Sequence, residues 1–270
     1  GCTVPAIMAS RALENKRDRY KVMLVTPFMS CNARLTIYIL FAEMFFGKNA
    51  LLAAYSMYLI GIAVAMAVSY VLHLLDREKS ANYLLIELPE YKLPDARTVG
   101  IYVWDKVKDY LGKAGTTIFI ATLLIWFLLN FGPQGYAPDL SEGFGAIIGK
   151  WLVPVFAPVG LGFWQIAVAL IAGISAKEVV VSSCAVLFGI VNANSASGMA
   201  RFSEVLKGIG FGPLNAFCLM VFCLLYVPCA ATLATIQKES DSWGWTCFVT
   251  LFQLVVAWGV TFLVYRIGLA

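Results

Sequence analysis

Asn49–Leu75 reads NALLAAYSMYLIGIAVAMAVSYVLHLL and contains no Asp, Glu, Lys or Arg between Lys48 and Asp76. A helix rises about 1.5 Å per residue, so crossing about 30 Å of hydrocarbon takes roughly 20 mostly apolar residues. This stretch exceeds that length. Its small residues, Ala53, Ala54, Gly61, Ala63, Ala65 and Ala67, suit close contact between helices in lipid. Five further charge-free windows follow: Ala114–Pro138, Trp151–Ala176, Val179–Ala200, Gly208–Gln237 and Ser242–Tyr265. The chain of 270 residues is 60% hydrophobic and 13% charged, where soluble domains carry about 25% charged residues. These windows exclude a soluble enzyme, a disordered chain and a DNA-binding module. They predict an all-α, polytopic membrane protein of about six to eight spans, with the lipid bilayer as partner and no nucleic acid.

The remaining composition narrows the chemistry. Seven cysteines are an odd number without a CxxC pair, and they sit in or beside apolar runs. That argues against a disulfide framework or zinc ribbon, and buried thiols commonly act as small apolar fillers. One histidine, His73, is too few for a His-rich metal site. No GxxxxGK[ST] loop is present, so no nucleotide-hydrolysing domain is expected in these residues. The chain starts at Gly1 without a signal-peptide pattern and reads as a fragment, residues 1–270, of something longer.

The polar connections suggest an orientation. Arg11–Lys21 and the long insert Asp76–Lys113 are rich in Lys and Arg, which favour the cytoplasmic side, while Gly132–Lys150 holds a single lysine and is placed outside. Pro89 and Pro94 prevent one continuous helix through the insert. After them Val99, Val103, Trp104, Val107, Tyr110 and Leu111 share a helical face, which suits either an interfacial helix or a soluble-side helix covering the bundle. A short span over Ala114–Phe131 and loops at Gly132–Lys150 and Asn192–Lys207 are expected. Trp151–Ala200 reads as one broken span or a hairpin.

Two segments repeat. Phe28-Met29-Ser30-Cys31-Asn32-Ala33-Arg34-Leu35 aligns with Tyr226-Val227-Pro228-Cys229-Ala230-Ala231-Thr232-Leu233, each with a proline within or just ahead of it, Pro27 and Pro228. Upstream, Gly1-Cys2-Thr3-Val4-Pro5 matches Ala176-Lys177-Glu178-Val179-Val180 weakly. Paired, proline-interrupted apolar segments mark the binding site of many transporters. A proline frees a backbone carbonyl, which is tolerated only beside protein or a wet cavity, where it can face a cation. Cys31 and Cys229 stand beside these breaks as candidate ligands, with Cys2 close to Pro5; ordinary kinks packed with small thiols are the bland alternative. Lys177 and Glu178 interrupt an otherwise apolar stretch of about 50 residues. They mark either a helix boundary or a functional pair, with Glu178 a candidate cation ligand and Lys177 a charge balance. Glu43 and His73 read as surface and interfacial. Thiols favour Fe(II), Zn(II) or Cu(I) over Mg²⁺ or Ca²⁺.

GCTVPAIMASRALENKRDR (1–19), TPFMSCNARL (26–35), ELPEYKLP (87–94), GISAKEVVVSS (173–183) and LLYVPCAATLATIQKE (224–239) together resemble the membrane region of the ferrous iron transport protein B family. The resemblance covers nearly the whole chain. It implies gate-type repeats with broken helices, Fe²⁺ as the transported ion and partner, and the bacterial cytoplasmic (inner) membrane as location. It further implies a GTP-binding domain elsewhere in the full-length chain, hence GTP for that protein and no cofactor, no catalytic residue and no enzyme activity in these residues. A homo-oligomer is a further expected arrangement. By motif, Cys2, Cys31, Glu178 and Cys229 correspond to the family's iron-path candidates. A gate-type carrier of nucleosides or another solute, and a non-transporting thiol sensor, are the competing readings.

Overall fold

Interrupted apolar runs fold here as interrupted helices. A computed structural model describes residues 1–13, 15–76, 95–133, 135–136, 143–190 and 195–270. Twelve helices are defined among them. The first four are α1 (Thr3–Ala9), α2 (Lys16–Val25), α3 (Asn32–Phe46) and α4 (Ala50–Leu75). Next come α5 (Ala96–Asn130), α6 (Phe144–Phe156), α7 (Trp164–Ala172) and α8 (Val179–Leu187). The last are α9 (Ala196–Gly208), α10 (Pro213–Leu225), α11 (Ala230–Ser240) and α12 (Trp243–Leu269). Besides short 3-10 turns, the other regular structure is a two-stranded hairpin, β1 (Phe131–Gly132) and β2 (Gly135–Tyr136), with Phe131 opposite Tyr136.

Local chemistry explains most of the boundaries. Asn15, Asp95, Ser195 and Ser242 cap α2, α5, α9 and α12 by accepting backbone N–H bonds from Arg17, Thr98, Gly198 and Trp245, the usual role of short polar side chains at helix starts. Hydrogen bonds from the Thr98 backbone and hydroxyl hold the Asp95 carboxyl below the usual carboxylate range. Pro27 lies in the 3-10 turn after α2, and Pro228 lies between α10 and α11. At both places the helical ladder stops because proline has no N–H to donate.

The expected all-helical fold with broken helices is what the structure has. Among the described residues, apolar stretches long enough to cross a membrane are Lys16–Leu75, Pro213–Ser240 and Trp243–Leu269, three in all, or four if Phe144–Val159 and Trp164–Ala172, bent by 102°, count as one. Lys16–Leu75 is itself interrupted, and α4, with 26 residues, is its longest unbroken piece. The count among the described residues is lower than six to eight because the Trp151–Ala200 windows fold partly into α7 and α8, of nine residues each. Such pieces reach only about 14 Å.

Three segments differ from the sequence reading. The amphipathic stretch after Pro94 and the span over Ala114–Phe131 form one helix, α5, of 35 residues. The region Asn192–Lys207 holds α9 rather than only a loop, because Phe202 and Leu206 share a buried face. Part of Gly132–Lys150 is already helical in α6. The ELPEYKLP motif with Pro89 and Pro94 lies outside the described residues, as does most of the insert's first half.

The core forms around α10, whose residues Cys218–Leu225 are all buried. Phe41 of α3 meets Phe202 of α9 and Phe211, and Phe156 of α6 packs edge-on to Phe222. The outer helices turn large apolar side chains outward, among them Leu51, Leu59 and Met66 on α4, Leu123 and Leu124 on α5, and Leu251 and Val255 on α12. A face of this size is costly in water and neutral in lipid. At one end, Lys21 bonds to both Asp18 and Asp76, so Arg11–Lys21 and the start of the insert share a side, as the charge pattern requires. The Lys21 ammonium also holds the Asp76 carboxyl below its usual range. At α11, Glu239 receives Arg11 through two bonds of 2.7 and 2.5 Å.

Gly61 fixes the seat of α4. A β-carbon there would lie 2.9 Å from the Phe28 carbonyl oxygen and 3.4 Å from Leu224 Cδ1. Gly61→Ala is therefore expected to push α4 away and cost about 1–3 kcal/mol. Gly259→Ala, where a β-carbon meets nothing within 4 Å, should be neutral or slightly stabilising. Thermal unfolding in detergent compares the two, and equal midpoints would refute the close approach.

Candidate functional site

All four candidate residues occupy the same kind of position. Cys2, Cys31, Glu178 and Cys229 are the residues immediately before α1, α3, α8 and α11, at their N-caps. None caps its helix with a side-chain hydrogen bond to the backbone. Cys31 and Cys229 are half-buried, while Cys2 and Glu178 are exposed. The Cys229 thiol lies 3.1 Å from the Thr232 hydroxyl.

Two equivalent hydrogen bonds relate the halves. The N–H of Asn32, just after Cys31, donates to the Gly1 carbonyl at 3.2 Å. The N–H of Ala230, just after Cys229, donates to the Ile174 carbonyl at 2.7 Å. Gly1 precedes α1 and Ile174 lies in the turn before α8. α3 and α11 thus each tie their first turn to an upstream carbonyl, although Ile174 lies two residues ahead of Ala176, the position that the weak upstream match pairs with Gly1.

The carbonyls of the breaks are not left open. Arg34, on the first turn of α3 and 2% exposed, donates through one terminal nitrogen to the Pro27 and Met29 carbonyls at 3.0 and 2.9 Å. Lys177, also 2% exposed, donates to the Val227 carbonyl across the second break. Its ammonium stands 3.2 Å from the centre of the Tyr226 ring, a desolvated cation–π contact. Both breaks therefore hold a buried basic side chain supplied by the protein itself. Among the described residues neither one pairs with a carboxylate. Sequence reasoning gave Lys177 only a general charge-balancing part and missed Arg34; the signal was present in both, a lone basic residue beside a proline-interrupted apolar run.

Gly61 of α4 draws the halves together, lying against the Phe28 carbonyl of the first break and against Leu224, just ahead of the second. Cys2 reaches the first break through the Gly1–Asn32 bond, and Glu178 lies just beyond Lys177 on the surface. Among the described residues no three His, Cys, Asp or Glu side chains converge as a ligand set. On the far side of the second break lies a cleft of about 420 Å³, lined by hydrophobic side chains including Phe222, Tyr226, Val227, Leu254 and Trp258. Gly173 lets the turn after α7 approach this break, since a β-carbon there would sit 2.5 Å from the Tyr226 hydroxyl.

Comparison with known proteins adds the family. The profile described as "Ferrous iron transport protein B C terminus" matches residues 54–106, and the one described as "Gate: Nucleoside recognition" matches residues 111–243. The chain is 40% identical over 268 residues to an Fe(2+) transporter FeoB of Staphylococcus aureus, covering 99% of this chain and 39% of the relative. It is 38% identical over 276 residues to an Fe(2+) transporter FeoB of Methanocaldococcus jannaschii, covering 99% and 40%. With an Fe(2+) transport protein A/Fe(2+) transporter FeoB fusion protein of Porphyromonas gingivalis it shares 34% over 310 residues, covering 100% and 37%. The chain thus spans about two fifths of the length of these curated relatives, and no solved structure matches it. By both profiles and by identity along nearly its full length, the chain belongs to the ferrous iron transport protein B family and corresponds to its C-terminal membrane region.

Proposed function

We propose that this chain is the membrane pathway through which ferrous iron is taken up across a bacterial cytoplasmic membrane, as the permease part of a GTP-dependent transporter. The observation that carries the reading is that Cys31 and Cys229 stand at matching N-caps, each at a proline-marked break whose carbonyl is held by a buried basic side chain. Relatives named Fe(2+) transporter supply the cargo. Cys2, Cys31, Cys229 and Glu178 are the proposed metal-contacting residues.

The mechanism follows from charge. Arg34 places a fixed positive charge on the carbonyls of the first break, and that charge opposes the entry of a bare dication. Negative charge must arrive with it, and the cysteine thiols supply it by giving up protons as they bind metal. A few weak ligands suit transport, because an ion must also leave; a closed four-thiolate cage would retain it. Contact with Fe²⁺ therefore passes between thiol sulfur, backbone oxygen and water. Residues 1–270 form one transport domain in this reading, with 76–113 a cytoplasmic or interfacial insert, GTP hydrolysis belonging to a domain of the full-length chain, and a homo-oligomer as a further arrangement.

The deciding experiment is metal flux into liposomes by the full-length protein. Fe(II) accumulation that rises with GTP is the expected result. The match to the nucleoside-recognition profile favours one second reading, a gate-type carrier of organic solutes. Uptake of a labelled nucleoside that Fe(II) does not compete with, and no Fe(II) accumulation, would establish that reading instead.

A further inference from the structure

Gln253 is fully buried in the middle of α12, and neither its carboxamide nitrogen nor its oxygen has a hydrogen-bond partner among the described residues. It belongs to the inward stripe Thr246, Val249, Gln253, Ala257 and Thr261. The threonines of that stripe satisfy themselves: Thr246 donates to the Ser242 carbonyl at 3.1 Å and Thr261 to the Ala257 carbonyl at 2.7 Å. Gln253 is too long to fold back onto its own helix in this way, and its amide stays open. A buried polar group without a partner is rare and calls for a reason, most of all inside hydrocarbon, where no solvent repairs it.

Its depth supplies the reason. α10 and α12 run antiparallel, with Gly268 at the end of α12 against Leu214 at the start of α10. Followed back from there, α12 passes the second break. Phe252, one residue before Gln253, meets Phe28 of the first break with ring centres 6.3 Å apart. Leu254, one residue after it, lines the same cleft as Tyr226 and Val227 of the second. Gln253 therefore stands at the level of both breaks, on a helix that belongs to neither.

We propose that the Gln253 carboxamide is a contact for the transported divalent cation or its water shell, the third element of the route beside Cys31 and Cys229. The oxygen accepts from a water of the arriving ion or enters its coordination shell, and the N–H₂ donates to a water left behind. The chemistry of the group fits the surroundings. A neutral amide needs no counter-charge in an apolar core and, without a partner of its own, remains available to cargo. The proposal rests on the ferrous iron reading and adds a residue to it.

Its test uses Gln253→Met, nearly the same in volume and without polar atoms, in the full-length protein. Two quantities are measured: the unfolding temperature in detergent, and the flux of Fe(II), kept reduced with ascorbate, into liposomes. If the amide serves only the fold, removing it lowers the unfolding temperature and leaves flux per folded protein unchanged; either result overturns the proposal. If it serves the cargo, removing an unpaired buried amide leaves the unfolding temperature equal or higher while Fe(II) flux falls by about tenfold or more. Failure of the ferrous reading shows elsewhere, in a wild type that moves no Fe(II) at all, and the cation assignment of Gln253 then falls with it.

Discussion

Arg34→Met is expected to destabilise the protein by about 2–4 kcal/mol and to abolish transport. The guanidinium donates to the Pro27 and Met29 carbonyls, and methionine takes this donor from the buried Pro27 oxygen and from the half-buried Met29 oxygen. Each such orphan costs about 1–3 kcal/mol. Removing the buried charge recovers part of this, because a cation without a carboxylate partner is itself strained by desolvation, so the net loss is smaller than the sum. Arg34→Lys should fall between, since the single Arg34 nitrogen that makes both bonds is replaced by one ammonium on a more flexible stem. Chemical or thermal unfolding in detergent measures the difference. An Arg34→Met protein as stable as wild type would show that the first break does not depend on its internal cation.

The second large effect concerns the thiols. Cys31→Ser combined with Cys229→Ser should lower Fe(II) uptake by about tenfold or more at matched expression, with each single change intermediate. Serine is nearly the same size, and at position 229 its hydroxyl can keep the contact with Thr232, so the fold should survive. What is lost is the softer donor that Fe(II) prefers over a neutral hydroxyl. Cys184→Ser makes the contrast, because Cys184 is fully buried in α8. There a hydroxyl enters an apolar site, and the expected change is lower stability without a change in flux per folded protein. Unchanged uptake in the double variant would reject the cysteine path.

The apolar windows and the two proline breaks were legible in the sequence because both are local. Hydrocarbon length and a missing N–H are written residue by residue, and the alignment of Cys31 with Cys229 followed from them. The continuity of α5 was not legible, because its charged first half and apolar second half look like two segments although both keep helical periodicity. α9 was hidden by its start, Ala-Ser-Gly, which reads as a loop until Phe202 and Leu206 find a core. The partners of Arg34 and Lys177 depend on the path of the chain. Lys177 reaches Val227, 50 residues away, and no spacing rule indicates that. Gln253 carried a faint signal as the one carboxamide in the last apolar window, but its lack of a partner is visible only in three dimensions.

That lysine and arginine already sit on the oxygens of both gaps has an electrical consequence. A membrane at about 100 mV pulls on each elementary charge with about 2.3 kcal/mol. With those oxygens held by side chains tethered to the backbone, a stray sodium or potassium ion drawn by that field meets no bare carbonyl seat at the Pro27 or Val227 oxygen.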